Sequence, residues 1–421
     1  MLQTIQAVLE KTLEVELLPY AVGNRTCCLI RSRRGQILFD PKSHTAVGLG
    51  SCDDPAFAAE SIADAAPAYV EDPYEVPFIS SIEYYATSAC NLGCSYCYLG
   101  PLPYRVESQD LEPTAAIQTL DGLFENDRIG PELTFLLIGG EPFVAKRGVF
   151  KMVEHVRGLC GKHRIQLHVR ATSNGTLLTP DVIEWLKQND VSVTLSADGQ
   201  FQHENRPHKA GIDYRFPLPD LLDAIGPEML SVRATLMPSQ LRRQAEVYTY
   251  FHEAGVKAIY ISAAHGLITT TTDISNNLLG ITSLNSTCVG IGSFEGHLQD
   301  AYEALRYRRL ARSHCSAGHA HVVLDSRGSL SACANLRDPQ LHDQLAPYTY
   351  DVDADSVCGK CTFRYVCNAV GGGCRAWRIL SHSRDPDPLE CSASAARFVL
   401  ALDRLLMGVA QFPTEEYVQT H

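Results

Sequence analysis

The sequence has no apolar stretch long enough to cross a membrane, and residues 1–16 lack the basic start and apolar run of a secretory signal. It also lacks an excess of positive charge, because 36 Lys and Arg face 48 Asp and Glu and the formal net charge is −12. These absences argue against a membrane protein, a secreted protein and a protein whose main task is nonspecific binding of nucleic acid. We therefore expect a cytoplasmic protein that has neither a membrane nor a nucleic acid as its partner.

Apolar residues make up 45% of the 421 residues and charged residues 20%, which is ordinary for a globular protein. The length exceeds that of one ordinary core, so two or three structural units are expected. Fifteen cysteines in a long cytoplasmic chain indicate metal or redox chemistry rather than disulfides. Three of them lie at 90–97 and seven at 315–391, and most of the other five are expected to be core thiols.

Cys90, Cys94 and Cys97 form the densest group of cysteines. This trio has no fourth ligand nearby, because no cysteine or histidine follows before His155. A structural zinc site uses four closed ligands, whereas three thiolates can hold three irons of a four-iron cluster and leave one iron open. Zinc and unligated buried thiols remain the alternatives. The trio predicts an open iron–sulfur site at which a reaction can occur.

The spacing Cys-x3-Cys-x2-Cys, with Tyr96 before the last cysteine, resembles that of the radical S-adenosylmethionine (SAM) enzymes. The resemblance implies that the trio holds a [4Fe-4S] cluster, that SAM binds its open iron and that Tyr96 lies near the adenine. It also implies the chemistry, in which one electron enters the sulfonium and releases a 5′-deoxyadenosyl radical. That radical takes a hydrogen atom from an unactivated substrate carbon.

Strand patterns alternate with helix patterns from about residue 80, which indicates parallel βα units with the active site at the carboxyl ends of the strands. Six strands are predicted at Ile82–Ala86, Leu133–Ile138, Gln166–Ala171, Val191–Leu195, Leu230–Leu236 and Ala258–Ser262. Helices are predicted at Thr114–Glu125, Val149–Leu159, Pro180–Gln188, Leu218–Ala224 and Arg242–Ala254. Six such strands make a partial barrel that is open on one side, as in the radical SAM fold.

Polar motifs follow several of these strands. Gly139, Gly140 and Glu141 end the second strand; paired glycines permit close backbone approach, and a carboxylate can hold an ammonium group. Alone, this Gly-Gly-Glu-Pro motif is also typical of a turn. In the family it contacts the amino group of SAM. The resemblance places further SAM contacts at Asn174, Ser196, Asp198 and Arg233.

Asn-Gly and Asp-Gly are also turn signals, and Arg233 on the fifth strand could form an ordinary salt bridge instead. His203 and Arg206-Pro207 follow Ser196-x-Asp198-Gly199. This order resembles the Ser-x-Asp-Gly-…-His-…-Arg-Pro run of peptide-maturing family members. The resemblance therefore favours a peptide substrate.

The later cysteines resemble the seven-cysteine SPASM domain, which holds two auxiliary four-iron clusters and would bring the total to three [4Fe-4S] clusters. By analogy, the second auxiliary cluster takes Cys358, Cys361, Cys367 and Cys391, and the first takes Cys315, Cys333 and Cys374. Six residues separate Cys367 from Cys374, whereas three are usual in the family, which indicates a local insertion. The first cluster needs either an upstream ligand, for which Cys288 is the candidate, or an open iron.

The predicted fold is α/β: a partial (β/α)6 radical SAM barrel with a small N-terminal α+β domain and a C-terminal iron–sulfur SPASM domain. The predicted boundaries are 1–75 for the N-terminal domain, 76–270 for the barrel, 271–313 for a bridging segment, 314–391 for the SPASM domain and 392–421 for a C-terminal helix. The N-terminal strands are predicted at Val15–Leu18, Cys27–Arg31 and Gln36–Phe39, before a linker at Ala66–Pro77. Its size and element order resemble those of leader-peptide recognition domains.

These features predict a radical SAM oxidoreductase that cross-links side chains of a ribosomally synthesised peptide through C–S, C–C or C–O bonds. Its expected partners are a precursor peptide and an electron donor such as flavodoxin or ferredoxin. One alternative is an anaerobic sulfatase-maturing, formylglycine-forming enzyme, but that subgroup carries an aspartate base where this chain has Ala334. The other alternative is a non-catalytic iron–sulfur electron-transfer protein. The sequence identifies no catalytic base.

Overall fold

A computed structural model describes residues 2–32, 35–43, 45–49, 53–64, 70–71, 78–97, 113–264, 267, 270–307, 310–311, 316–334, 357–361, 363–364, 367 and 387–406. The predicted cluster ligands Cys315 and Cys374, and most of the predicted linker Ala66–Pro77, lie outside these residues. Within the described chain, the architecture is α/β with a largely parallel central sheet.

The N-terminal part is a four-stranded antiparallel sheet in chain order. Its elements are α1 (Leu2–Leu13), β1 (Glu16–Val22), β2 (Arg25–Ser32), β3 (Gly35–Asp40), β4 (Thr45–Leu49), α2 (Ala56–Ala63) and the short strand β5 (Val70–Glu71). Strand β4 is not among the predicted strands; it is an edge strand that carries Gly48 and has no buried residue. Helix α1 precedes the strands and α2 follows them.

The central sheet contains the six predicted barrel strands in parallel and in chain order. They are β6 (Ile79–Tyr85), β7 (Ile129–Ile138), β8 (Gln166–Ser173), β9 (Val191–Ser196), β10 (Leu230–Leu236) and β11 (Ala258–Ala263). Between them in the chain lie α3 (Thr114–Glu125), α4 (Lys146–His163), α5 (Pro180–Gln188), α6 (Gln202–Asn205), α7 (Leu218–Ile225) and α8 (Gln244–Glu253). The prediction of an α/β fold with a parallel sheet is confirmed.

Later elements complete the sheet and its surroundings. These are α9 (Thr271–Gly290), α10 (Gly296–Arg306), β12 (Leu310–Ala311), β13 (His321–Asp325), β14 (Leu330–Ser331) and α11 (Pro388–Leu406). Strand β13 pairs parallel with β6 and extends the barrel beyond the six predicted strands, and β12 pairs with β5. None of the helices in the described part of the chain combines the length and apolar composition needed to cross a membrane.

The residue pattern of β9 explains how one sheet serves both a core and a site. Val191, Val193 and Leu195 are buried against the helical layer, while the alternating Ser192, Thr194 and Ser196 are half-buried on the other face. Because side chains alternate across a strand, this pattern directs polar groups away from the helices. Strand β10 follows the same alternation, so the inner face of the barrel is rich in polar groups.

The two faces of the N-terminal sheet pack differently: Leu29 and Leu38 belong to a small cluster with Ile62 of α2, whereas Ile30 and Phe39 belong to the main core. The rings of Phe39 in β3 and Phe398 in α11 lie 4.9 Å apart, and both belong to the apolar core that includes the buried face of the central sheet. Helix α11 also begins at Pro388 and contains Cys391, so the predicted boundary at 391/392 falls inside a helix. The C-terminal helix thus links the N-terminal sheet, the barrel and one predicted cluster ligand.

Candidate active site

The loop that carries the cysteine trio follows β6 and is braced by the segment after β9. Gly93 N donates to Pro207 O at 2.8 Å, and Ser95 N donates to Asn205 O at 3.0 Å. Lys209 N donates to Asn91 O at 2.9 Å. The run that resembles the peptide-maturing motif therefore holds the loop through its backbone.

The paired glycines after β7 hold the same loop from the opposite side. Gly140 N donates to Thr87 O at 2.7 Å, and Glu141 N donates to Ala89 O at 2.8 Å. A Cβ on Gly139 would lie 2.4 Å from Thr87 O, and one on Gly140 would lie 2.4 Å from Ala89 O. The pair was expected to let the backbone approach a ligand, and the structure shows that the loop itself also requires these glycines.

Glu141 was predicted to hold an ammonium group with its carboxylate, but this carboxylate is fully buried. Ser173 Oγ donates to it at 2.9 Å, and the Asn174 N–H donates at 2.7 Å. Burial raises its pKa to about 7, although these hydrogen bonds lower it. The side chain therefore joins the ends of β7 and β8, and its contact with SAM stays a prediction.

Glu141→Gln is expected to change how stability depends on pH. Because the folded state holds the Glu141 proton up to about pH 7 and the unfolded state releases it near its ordinary value of 4.5, the free energy of unfolding should fall as pH rises between these values. Urea unfolding at several pH values should show a shallower fall in the Gln variant. Glu132→Gln, at an exposed position of β7, is the matched control and should keep the wild-type slope. Equal slopes for Glu141→Gln and wild type would contradict this assignment.

The trio itself has the donors that a bound thiolate needs. Leu92 N lies 3.4 Å from Cys90 Sγ, and Asn174 Nδ2 lies 3.6 Å from it and 3.0 Å from Asn91 Oδ1. Hydrogen bonds to sulfur are among the features that tune iron–sulfur clusters. The loop therefore suits a four-iron cluster, in which each of the three cysteine thiolates would bind a different iron.

In the described residues, no three Cys, His, Asp or Glu side chains converge on one point that could hold a single metal ion. Burial raises the pKa of Cys94 to about 11, and the charges of Cys97 and Cys90 act in the same direction. The three thiols are thus close enough to interact electrostatically.

Asp198 was predicted to contact SAM, but both of its oxygens are occupied inside the protein. Arg206 donates to them from Nε at 2.9 Å and from Nη2 at 3.1 Å, and the Tyr96 hydroxyl donates at 2.5 Å. Thr235 N also donates to this carboxylate, at 2.8 Å. Asp198 is fully buried and anchors the cysteine loop to β10, while its contact with SAM stays a prediction.

Tyr96, predicted to lie near adenine, has its ring 5.2 Å from the Arg206 guanidinium carbon, and burial raises the pKa of its hydroxyl. Ser196 at the end of β9 is the register partner of Arg233 in the middle of β10. Arg233 lies over the Tyr260 ring at 5.7 Å and is exposed. Of the predicted SAM contacts, Ser196 and Arg233 present polar groups that a ligand can reach on this face.

The structure adds titratable groups that the sequence analysis did not assign. Ser262 Oγ on β11 lies 3.2 Å from His297 Nε2, and His297 Nδ1 lies 3.8 Å from an Asp300 carboxylate oxygen. Near the other end of the sheet, a Glu83 carboxylate oxygen lies 3.8 Å from His321 Nε2. Burial raises the pKa of Glu83 to about 7. In the sequence, Glu83 is distinguished only by being a charged residue inside a predicted strand.

Four of the predicted auxiliary-cluster ligands lie near one another. Burial raises the pKa of Cys391 well above its ordinary value, and the charges of Cys367, Cys361 and Cys358 raise it further. Burial likewise raises the pKa of Cys367 to about 12, with Cys361 contributing. Cys358 and Cys361 lie at a short turn and Cys391 lies on α11, so folding brings together residues that are far apart in sequence.

Two of the candidate ligands for the first auxiliary cluster, Cys333 and Cys288, lie among the described residues. Ala334, next to Cys333, packs against Tyr85 of β6 and Val323 of β13. Cys288 is fully buried on α9, where its thiol interacts with Tyr248 of α8 and Arg404 of α11. Cys288 and an open iron both remain alternatives for the fourth ligand of the predicted cluster.

Comparison with known proteins gives a match to the Radical SAM superfamily over residues 84–218. The radical SAM cyclopropyl synthase TigE of Paramaledivibacter caminithermalis is 25% identical over 142 residues, which is 31% of this chain and 29% of the relative. A cysteine-type anaerobic sulfatase-maturating enzyme of Clostridium perfringens is 26% identical over 132 residues, or 30% of this chain and 35% of the relative. The matched segment thus spans about a third of the length of these relatives.

A solved structure, native anSMEcpe with bound AdoMet and Cp18Cys peptide, superimposes with a TM-score of 0.60. The two chains are 18% identical, and the superposition covers 79% of this chain and 99% of the other. At this identity the likeness establishes a shared fold. That fold extends well beyond the matched segment of residues 84–218.

Proposed function

The chain is a member of the radical SAM enzyme superfamily through residues 84–218, and we propose that it is a SPASM-type peptide maturase that oxidatively cross-links side chains of a ribosomally synthesised peptide. The proposed cofactors are SAM, one [4Fe-4S] cluster on the cysteine trio and two auxiliary [4Fe-4S] clusters. When bound, the trio cluster and SAM supply a radical that removes a hydrogen atom from the substrate. The chain's own residues orient these groups and exclude solvent.

The observation that carries the proposal is the construction of the cysteine loop. Three thiols lie on a segment that Gly139 and Gly140 fit closely on one side and residues 205–209 brace on the other. Asn174 donates toward the Cys90 thiol, and Arg206 reaches toward the Cys94 thiol. A loop held this firmly, with donors aimed at its thiols, is suited to three cluster ligands and one open iron.

The grouping of Cys358, Cys361, Cys367 and Cys391 supports the second auxiliary cluster of this proposal. Four thiols would bind all four irons of that cluster, so the cluster could transfer electrons but would have no iron free to bind a substrate. A cross-link between two side chains removes two hydrogen atoms, one by the radical and one as a proton plus an electron. The proposed auxiliary cluster is the iron–sulfur acceptor for that electron.

Ala334 favours cross-linking over formylglycine formation. It packs on Tyr85 and Val323, so the position that follows Cys333 offers a methyl group where sulfatase-maturing enzymes carry a carboxylate base. Glu83 and the His297–Asp300 pair lie on or beside the central sheet and can accept a proton instead. The solved relative with a bound peptide supports a peptide as the substrate class.

The proposal is tested by anaerobic incubation of the purified protein with SAM and dithionite. We expect release of 5′-deoxyadenosine, and a sample without reductant serves as the control. Co-expression with a short peptide encoded beside the gene should then give a peptide that has lost two hydrogen atoms per cross-link, as measured by mass spectrometry. If no 5′-deoxyadenosine forms, with or without peptide, the result would favour the alternative of a non-catalytic electron-transfer protein. Conversion of a sulfatase peptide to formylglycine would favour the sulfatase-maturing alternative.

A further inference from the structure

Arg206 is placed between the cysteine loop and a buried carboxylate. Its guanidinium donates hydrogen bonds from Nε and Nη2 to the Asp198 carboxylate. The remaining nitrogen, Nη1, lies 4.0 Å from Cys94 Sγ. The side chain of Arg206 is 7% exposed and that of Asp198 is fully buried. The ion pair thus has a direction, with its positive end toward the trio and its negative end away from it.

The surroundings hold that direction fixed. Asp198 also accepts hydrogen bonds from Tyr96, Asn205 and Thr235 N, so its carboxylate cannot rotate toward the thiols. The Tyr96 ring lies beside the guanidinium. Fixed charges in a buried site interact more strongly than they do in water, because little solvent screens them.

We propose that Arg206 is a positioning residue that sets the reduction potential of the trio cluster, with Asp198 as its counter-charge. Reduction adds a negative charge to the cluster, so a nearby cation stabilises the reduced form and a nearby anion destabilises it. This inference rests on the proposed function only in requiring a cluster on Cys90, Cys94 and Cys97. It requires no knowledge of the peptide substrate.

The proposal predicts shifts of opposite sign for the two partners. Arg206→Gln should lower the midpoint potential by the equivalent of a tenfold fall in the ratio of reduced to oxidised cluster, which is 59 mV for a one-electron couple. Asp198→Asn should raise it by a similar amount, because the guanidinium charge is then uncompensated. Arg206→Lys keeps the charge and should move the potential less than Arg206→Gln does.

The measurement is an anaerobic redox titration of the full-length protein, followed by electron paramagnetic resonance. The trio signal is identified by its loss in Cys90→Ala. Arg243→Gln removes the same charge from an exposed side chain and should leave the potential unchanged, because solvent screens it.

Shifts of the same sign in Arg206→Gln and Asp198→Asn, or no shift in either, would overturn the proposal, because a merely structural pair has no reason to move the potential in opposite directions. Should Arg206→Gln not fold, Asp198→Asn alone decides: a higher potential supports the proposal and an unchanged or lower one refutes it. A wild-type protein without any trio signal would refute both this inference and the proposed function. A wild-type signal with the predicted shifts but no peptide product would refute only the cross-linking activity.

Discussion

Cys90→Ala is expected to reduce SAM cleavage to background while the protein keeps its fold and the iron at Cys358, Cys361, Cys367 and Cys391. Cys90 is half-buried at the start of the loop, and its thiol receives donors from Leu92 and Asn174. Two remaining thiols of the trio cannot hold the cluster firmly, whereas the C-terminal group lies on other elements of the fold. The measurements are 5′-deoxyadenosine release by chromatography and iron content per chain.

Cys160→Ala is the matched control for this prediction. Cys160 is a buried cysteine on α4. Burial raises its pKa and Arg157 lowers it, and no other cysteine contributes. Its replacement leaves a small cavity and should lower stability modestly without changing the iron content or SAM cleavage. If Cys90→Ala lost all iron, the arrangement of separate clusters would be wrong; if it still cleaved SAM, the trio would not be the site.

The barrel was largely predictable because its elements carry strong local patterns. Pro180–Gln188 and Leu230–Leu236 have the bounds that the sequence predicts, since both combine clear periodicity with clear end signals. Strand β13 was not predictable in the same way. It has five residues and joins β6 from about 240 positions away, so no local pattern records the pairing.

The site was predictable in the identity of its residues and less so in their contacts. Asp198-Gly199 reads equally well as a turn or as a ligand contact, and nothing nearby in the sequence specifies that Arg206 turns back to it. Glu141 poses the same problem, because its partners lie on β8 and in the residue that follows it. The motifs indicate where polar groups meet, but they do not indicate which of these groups become buried.

Asp198→Ala is expected to lower the free energy of unfolding by about 3–5 kcal/mol, the usual cost of leaving a buried charge without its partner. Arg206 would keep its charge at a site that is nearly closed to solvent, and Tyr96 and Thr235 N would lose their acceptor. Because Tyr96 belongs to the cysteine loop and Thr235 to β10, the loss also loosens the loop from the barrel. Chemical denaturation under anaerobic conditions measures the change.

Asp181→Ala separates this effect from the loss of an ordinary ion pair. Asp181 pairs with Lys146 at 2.8 Å, but both side chains are exposed, so its removal should change stability little. Adding Arg206→Met to Asp198→Ala should restore part of the lost stability, since it removes the charge that was left unpaired. An Asp198→Ala variant no less stable than Asp181→Ala would show that the buried pair does not anchor the loop, and failure of Arg206→Met to restore stability would show that the cost lies in the other lost hydrogen bonds.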